Sequence, residues 1–183
     1  TNLALAQGLF AFDECRVRNQ TGAPLLNGPV ASYVEQQFVG NAALATLSGG
    51  EEFTIGFGID SNLRTSRRLV EKRESQQGGN RVVDLTYELA VENFAADQTA
   101  VRLYDRLPVS RDSEVRVTLN RDIPELSNDP LFQQSEKANG LLRCDVATPG
   151  ASQQPNRATI KYGFRMEYDK QFTLTGLDAA KPS

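Results

Sequence analysis

Side chains alternate in character along residues 83–91. Val83, Leu85, Tyr87, Leu89 and Val91 are apolar, Asp84, Thr86 and Glu88 stand between them, and Ala90 is the one neutral interruption. A period of two sends one set to a buried face and the other to water, which describes a half-buried β-strand and no helix. The same period returns at Phe53, Ile55, Phe57 and Ile59, at Val101 and Leu103, and at Val115, Val117 and Leu119. It is longest from Ala158 through Ile160, Tyr162, Phe164, Met166 and Tyr168. Helical periodicity is weak throughout, with a turn or two around residues 129–138 as the best candidate. The chain is expected to be all-β.

Turn chemistry separates these segments. Asn27-Gly28-Pro29, Ser48-Gly49-Gly50, Gly78-Gly79-Asn80 and residues 93–97 offer positive φ or side-chain-to-backbone bonds. Pro108 and Pro124 cannot donate to a ladder and should end strands or lie at edges. Residues 148–156 form the best candidate for a flexible loop, and residues 76–80 the best internal boundary. The expectation is an antiparallel immunoglobulin-like β-sandwich over residues 80–178, with an N-terminal β-rich half over residues 1–76 packed against it, as one continuous domain or two. The tail from Asp178 to Ser183 reads as unstructured or as the start of a linker. No repeat of fixed period is present.

Composition removes several classes of function. A length of 183 residues suffices for a real core, and a net charge of -3 provides no whole-chain field for nucleic acid or an anionic membrane. No apolar run approaches the ~20 residues of a membrane-spanning helix. The chain begins at Thr1 without a leader, so it reads as a fragment or a mature product.

Four short segments carry a resemblance: Leu25-Leu26-Asn27-Gly28-Pro29-Val30, Gly56-Phe57-Gly58-Ile59-Asp60, Arg67-Arg68-Leu69-Val70-Glu71 and Asp105-Arg106-Leu107-Pro108-Val109-Ser110. In this order and spacing, over residues 12–168, they resemble the C-terminal domain of unknown function of mucoidy inhibitor A-like proteins. The resemblance implies a bacterial protein with an N-terminal β domain and a coiled-coil spacer ahead of this segment. It also implies a link to the exopolysaccharide (mucoid) phenotype; the compartment stays open, with the bacterial envelope or periplasm favoured. It implies no catalytic residues, and so none is carried over. The loop near Gln153 departs from the family pattern, where a shorter turn is expected.

The residues themselves argue against catalysis. Histidine is absent, which removes the commonest general base and metal ligand. Two cysteines cannot build a tetrathiolate zinc site. Asp13-Glu14 and Glu51-Glu52 are adjacent strand residues that point to opposite faces, so they do not pair as acid and base. Gly56-Phe57-Gly58 lacks the longer glycine pattern of a phosphate loop, and glycines inside a strand instead permit a bulge or a close backbone approach. Asp60-Ser61-Asn62 lacks the spaced acids of a calcium loop and reads as a turn. No enzyme activity, cofactor or metal is expected.

Two features remain as candidate sites. Arg64, Arg67 and Arg68 open a charge-rich stretch whose guanidinium groups could bind an acidic polysaccharide. The alternative is a solvated strand whose charges guard an edge, and Glu71 and Glu74 partly neutralise the run. Cys15 and Cys144 are either a disulfide, worth about 4 kcal/mol through the long loop it would close, or two free thiols. Asn19-Gln20-Thr21 matches a glycosylation acceptor by pattern alone. The expected function is a structural or protein-interaction module docking a protein partner or a neighbouring domain. The alternative is a carbohydrate- or anionic envelope-polymer-binding module. An exposed aromatic row beside a groove would favour the polymer, and a flat apolar patch the protein partner.

Overall fold

The computed structural model describes residues 10–109, 114–121, 123–130 and 132–171. The expectations for residues 3–9 and for the tail from Asp178 lie outside the described residues. The strands are β1 (Phe10–Arg18), β2 (Gly28–Val34), β3 (Gln37–Leu44), β4 (Glu52–Gln77) and β5 (Asn80–Asn93), followed by β6 (Thr99–Arg106), β7 (Arg116–Leu119), β8 (Leu141–Thr148) and β9 (Arg157–Asp169). A π-helical turn at Phe132–Glu136 and a 3-10 turn at Lys137–Asn139 lie where the sequence placed its best helical candidate. The protein is all-β. One sheet has the order β1-β4-β5-β9-β7, and β2-β3 and β6-β8 form two-stranded sheets.

Contacts divide the chain into a larger unit with Arg64–Ser183 and a smaller one, Phe10–Leu63. The division falls inside β4, away from the boundary expected at residues 76–80. Gly78 and Gly79, at φ 58° and 96°, make the tight turn that folds β4 back into β5. Glycine pairs of this kind serve a hairpin as readily as a linker, and that ambiguity hid the difference in the sequence.

The larger unit is organised by the β5–β9 ladder, antiparallel and unbroken from Asn80↔Asp169 to Glu92↔Arg157. This register puts Leu85 opposite Phe164, Tyr87 opposite Tyr162 and Leu89 opposite Ile160 on the apolar face. Val83, Leu85, Leu89, Val91, Tyr162, Phe164 and Met166 are buried, each contributing about 2 kcal/mol by removal from water. Leu103, Leu142 and Cys144 from the β6–β8 pair meet Leu89, Ile160 and Tyr162 around a small, mostly apolar cavity. Strand β8 is buried on both faces at residues 142–144, where Arg143 is as buried as its neighbours Leu142 and Cys144, and its Arg143 face opens to solvent at Asp145 and Ala147. Above Arg143 lies the segment leading into the helical turns. Ser127 donates its N–H to the Arg143 carbonyl, and the Arg143 guanidinium pairs with Asp129 at 3.4 Å and Asp145 at 3.3 Å.

Two loops interlock through a fully buried asparagine. Asn93 Nδ2 donates to the carbonyl of Asp97 at 2.8 Å, while its Oδ1 accepts from the Ala95 N–H. Its backbone exchanges bonds with Asn156, whose Nδ2 donates to the Asn93 carbonyl. Gly150 packs so tightly here that a Cβ would stand 2.1 Å from the Ala96 carbonyl oxygen.

The smaller unit is held by other means. Strands β2 and β3 pair from Gly28↔Leu44 to Val34↔Gln37, with a slip between Ser32 and Tyr33. Their turn holds Glu35 and Gln36 at φ 47° and 69°. Asn19 is buried, with Nδ2 donating to the carbonyls of Ala23 and Ser48 and Oδ1 accepting from Thr21. That asparagine clasps a loop and is no exposed glycosylation acceptor. Gly58 sits at φ 92°, and a Cβ there would come within 3.3 Å of the Val39 carbonyl oxygen. The glycine therefore breaks the alternation: Phe53, Ile55 and Phe57 are half-buried, while Ile59 is exposed.

Candidate functional site

Adjacent residues of a strand point to opposite faces, so Arg67 and Arg68 enter different surroundings. Arg67 reaches the apolar side, where its Nε donates to Asp105 Oδ2 at 2.8 Å and its Nη2 to the Tyr162 hydroxyl at 3.3 Å. The guanidinium lies 3.8 Å from the centre of the Tyr87 ring, a cation–π contact. Tyr162 also donates to Asp105 Oδ2, and Tyr87 stacks on Tyr162 at 5.9 Å and on Phe164 at 6.0 Å. Burial works against the charge of Arg67, but Asp105 and then Tyr162 outweigh it and hold its pKa above the ordinary value. Burial, with the Asp105 carboxylate beside it, raises that of Tyr162 as well. A cation that does not lose its proton and a phenol that does not ionise near neutrality make a structural lock. Neither supplies a base or a nucleophile.

Arg68 points to the polar face. Its Nη2 donates to Glu88 Oε1 at 3.1 Å, and Arg157 and Lys161 approach the same carboxylate at 3.5 and 3.7 Å. Arg157 also pairs with Glu92, and Arg165 grips Asp84 with two bonds of 2.9 and 3.1 Å. The hydrogen bond from Arg68 lowers the Glu88 pKa, with the nearby cations adding to the effect against some desolvation. Arg68 and Lys161 keep most of their side-chain surface in water. Arg64 lies over the Phe94 ring at 5.2 Å. The three arginines expected to act together thus have three different partners, and Arg67 is tied to the buried Asp105 while a third of its own side chain stays exposed.

Cys15 is exposed on β1 and Cys144 is buried on β8, both as free thiols. Burial, then Asp145, raises the Cys144 pKa and suppresses its reactivity. Among the described residues no group of three or more metal-ligating side chains converges, and no helix is long and apolar enough to cross a membrane.

Sequence reasoning passed over Asp105, Glu88, Arg157 and Lys161. A signal for Asp105 existed: it continues the parity of Val101 and Leu103, so a carboxylate stands in an apolar row. The Glu88 cluster had none, because its cations come from two other strands, Arg68 from β4 and Arg157 and Lys161 from β9, the latter strand almost 70 residues away.

The other notable surface is apolar. Among the described residues eleven large apolar side chains are exposed, and seven belong to the smaller unit: Phe10, Phe12, Leu26, Tyr33, Val34, Phe38 and Ile59. Tyr33 and Phe38 meet edge to face at 5.7 Å beside the β2–β3 turn. Of sixteen buried apolar residues, that unit contributes only Ala11 and Leu47.

Comparison with known proteins gives similarity without an activity. "Protein F37C4.5" of Caenorhabditis elegans is 25% identical over 153 residues, which cover 79% of this chain and 27% of that protein. The chain therefore spans about a quarter of the length of the curated relative it matches. No solved structure matches. Residues 10–170 match the family described as a domain of unknown function (DUF4139), and the chain belongs to that family.

Proposed function

We propose that this domain is a non-catalytic protein-interaction module of a longer polypeptide, docking a partner or a neighbouring domain through its smaller unit. One observation carries the reading: that unit exposes seven large apolar side chains and buries two apolar residues. Soluble surfaces rarely concentrate apolar side chains without a use for them. The lack of histidine and the locked state of Arg67 and Tyr162 fit a role without catalysis. The larger unit, with the β6–β8 pair over the apolar face of β5 and β9, would serve as an immunoglobulin-like scaffold. The four motifs resembling mucoidy inhibitor A-like proteins support a place in a bacterial envelope assembly linked to exopolysaccharide. Replacing Tyr33 and Phe38 by Ser in the full-length parent protein tests the reading through cross-linked neighbours identified by mass spectrometry. Loss of a specific protein neighbour is expected; an unchanged set of neighbours refutes the docking role.

Binding of an anionic polymer is the second reading, favoured by the exposure of Arg68 and Lys161 beside Arg157. Salt-sensitive retention on immobilised alginate, weakened when Arg68, Arg157 and Lys161 are changed to Ser, is its expected signature. Retention that survives those changes removes it.

A further inference from the structure

Strand β1 stands at one end of the five-stranded order, and among the described residues β4 is the strand it pairs with. Edge strands are usually protected by Pro, by charged side chains, Lys above all, by a bulge or by a short length; the charges of β1, Asp13, Glu14, Arg16 and Arg18, are of both signs. β1 runs for nine residues, Phe-Ala-Phe-Asp-Glu-Cys-Arg-Val-Arg, without a Pro, a Gly or a Lys. Phe12 is 62% exposed on it, and the Cys15 thiol is exposed as well.

The charge order of this strand complements itself. When a strand pairs antiparallel with its own copy about a two-fold axis normal to the sheet, facing residues share parity, so each register has one residue on the axis. Placing Asp13, Glu14 or Arg16 there sets like charges directly opposite, which is unfavourable. Placing Cys15 there sets Glu14 opposite Arg16 twice and Phe12 opposite Arg18 twice. On the other face Asp13 meets Val17, and no like charges face each other. Glu14 and Arg16 each interact within their own chain too, and a carboxylate accepts more than one donor.

We propose that β1 docks antiparallel on β1 of a second copy of this chain, with Cys15 at the two-fold axis. The proposal rests on the interaction-module reading and names the partner for this edge. Facing residues in such a ladder have Cα atoms about 4.5–5.5 Å apart, within the span of a disulfide. Cys15 is therefore the reporter of the register.

The test uses the whole chain with glutathione disulfide as oxidant. Two Cys15 thiols become one intermolecular disulfide while glutathione disulfide is reduced to two thiols. A covalent dimer is expected to form at least ~10-fold faster than in a C15S/S61C control, whose single exposed thiol lies elsewhere, because pairing raises the local thiol concentration. Arg16→Glu should abolish the advantage, and the double variant E14R/R16E should restore it by re-forming both pairs with their signs exchanged. Sedimentation equilibrium of the reduced protein should follow the same order. Equal cross-linking of the control, or no recovery in the double variant, overturns the proposal. A monomeric β1 that leaves capture through Tyr33 and Phe38 intact would refute the self-pairing alone, so the two failures are separable.

Discussion

The two portions of β4 run through two kinds of β-structure. Among the described residues, residues 64–77 enter a unit that holds fourteen of the sixteen buried apolar residues, whereas residues 52–63 belong to one that holds two. The first unit has its apolar side chains on facing positions of a thirteen-pair ladder. The second relies on polar clasps, such as Asn19 on Ala23 and Ser48, and leaves Phe10, Phe12, Tyr33 and Phe38 in water. The contrast teaches that strand content does not measure stability. Burial does, and it is concentrated in one unit.

Large-to-small substitutions should expose that contrast most strongly. Phe164→Ala, in the centre of the larger unit, is expected to cost about 3–5 kcal/mol, while Phe12→Ala should cost under about 0.5 kcal/mol as an exposed change. Urea unfolding of both variants measures this; equal losses would mean that the smaller unit has a packed core after all. Gly150→Ala should also be severe, about 1–3 kcal/mol or more, because its Cβ would meet backbone at Ala96. A backbone atom cannot yield as a side chain can.

Removing Asp105 tests the interior lock. Asp105→Asn leaves Arg67 and Tyr162 sharing a neutral acceptor, and a loss of about 1–3 kcal/mol is expected for buried groups left short of a partner. Calorimetry of that variant beside Arg68→Ser sharpens the comparison between the two faces of β4. Arg68 is mostly in water, so its loss should be within about 1 kcal/mol. A larger loss at Arg68 would invert the assignment of interior and surface.

The turn of the smaller unit should yield a gain. Glu35 and Gln36 both have positive φ, and Asn-Gly is the sequence such a turn favours. The double change E35N/Q36G is expected to stabilise by about 1 kcal/mol, read as slower hydrogen exchange in β2 and β3. No slowing would mean that this hairpin does not open independently.

The smallest effect concerns pH. The Glu88 pKa is lowered in the folded protein from an ordinary 4.5. A carboxylate so shifted adds stability that is fully present above its unfolded pKa and fades as pH falls through the folded value. Glu88→Gln should therefore flatten part of the acid limb below about pH 4.5 in a stability–pH profile and change little near neutrality. A profile identical to that of the unsubstituted protein would show that the three cations do not act on Glu88.

Period-two alternation made the strands legible. Residues 83–91 and 158–168 face each other in the structure as their matched apolar rows require, and the helical turns at Phe132–Asn139 overlap the one stretch offered for them. Gly58 was legible in kind, as a bulge or close approach, but its effect on Ile59 was not. The positive φ disturbs the alternation locally, exposing Ile59 before the odd positions turn inward again at Leu63 and Thr65, and no composition rule reports φ. Arg64, Arg67 and Arg68 were read as one group because they are neighbours in the chain. The pleat separates Arg67 from Arg68, and partners distant in sequence give them different surroundings.

The sequence by itself determined that this protein is all-β, where most of its strands lie, and that it has no histidine for acid–base chemistry. Those properties are local, set by side-chain alternation, turn residues and composition. Tertiary structure alone decided that Arg67 is bound to Asp105 and Tyr162, that Glu88 gathers three cations, and that one unit has a core while the other exposes its aromatics. Each of these depends on which strand comes to lie beside which, and that adjacency is set by long-range packing.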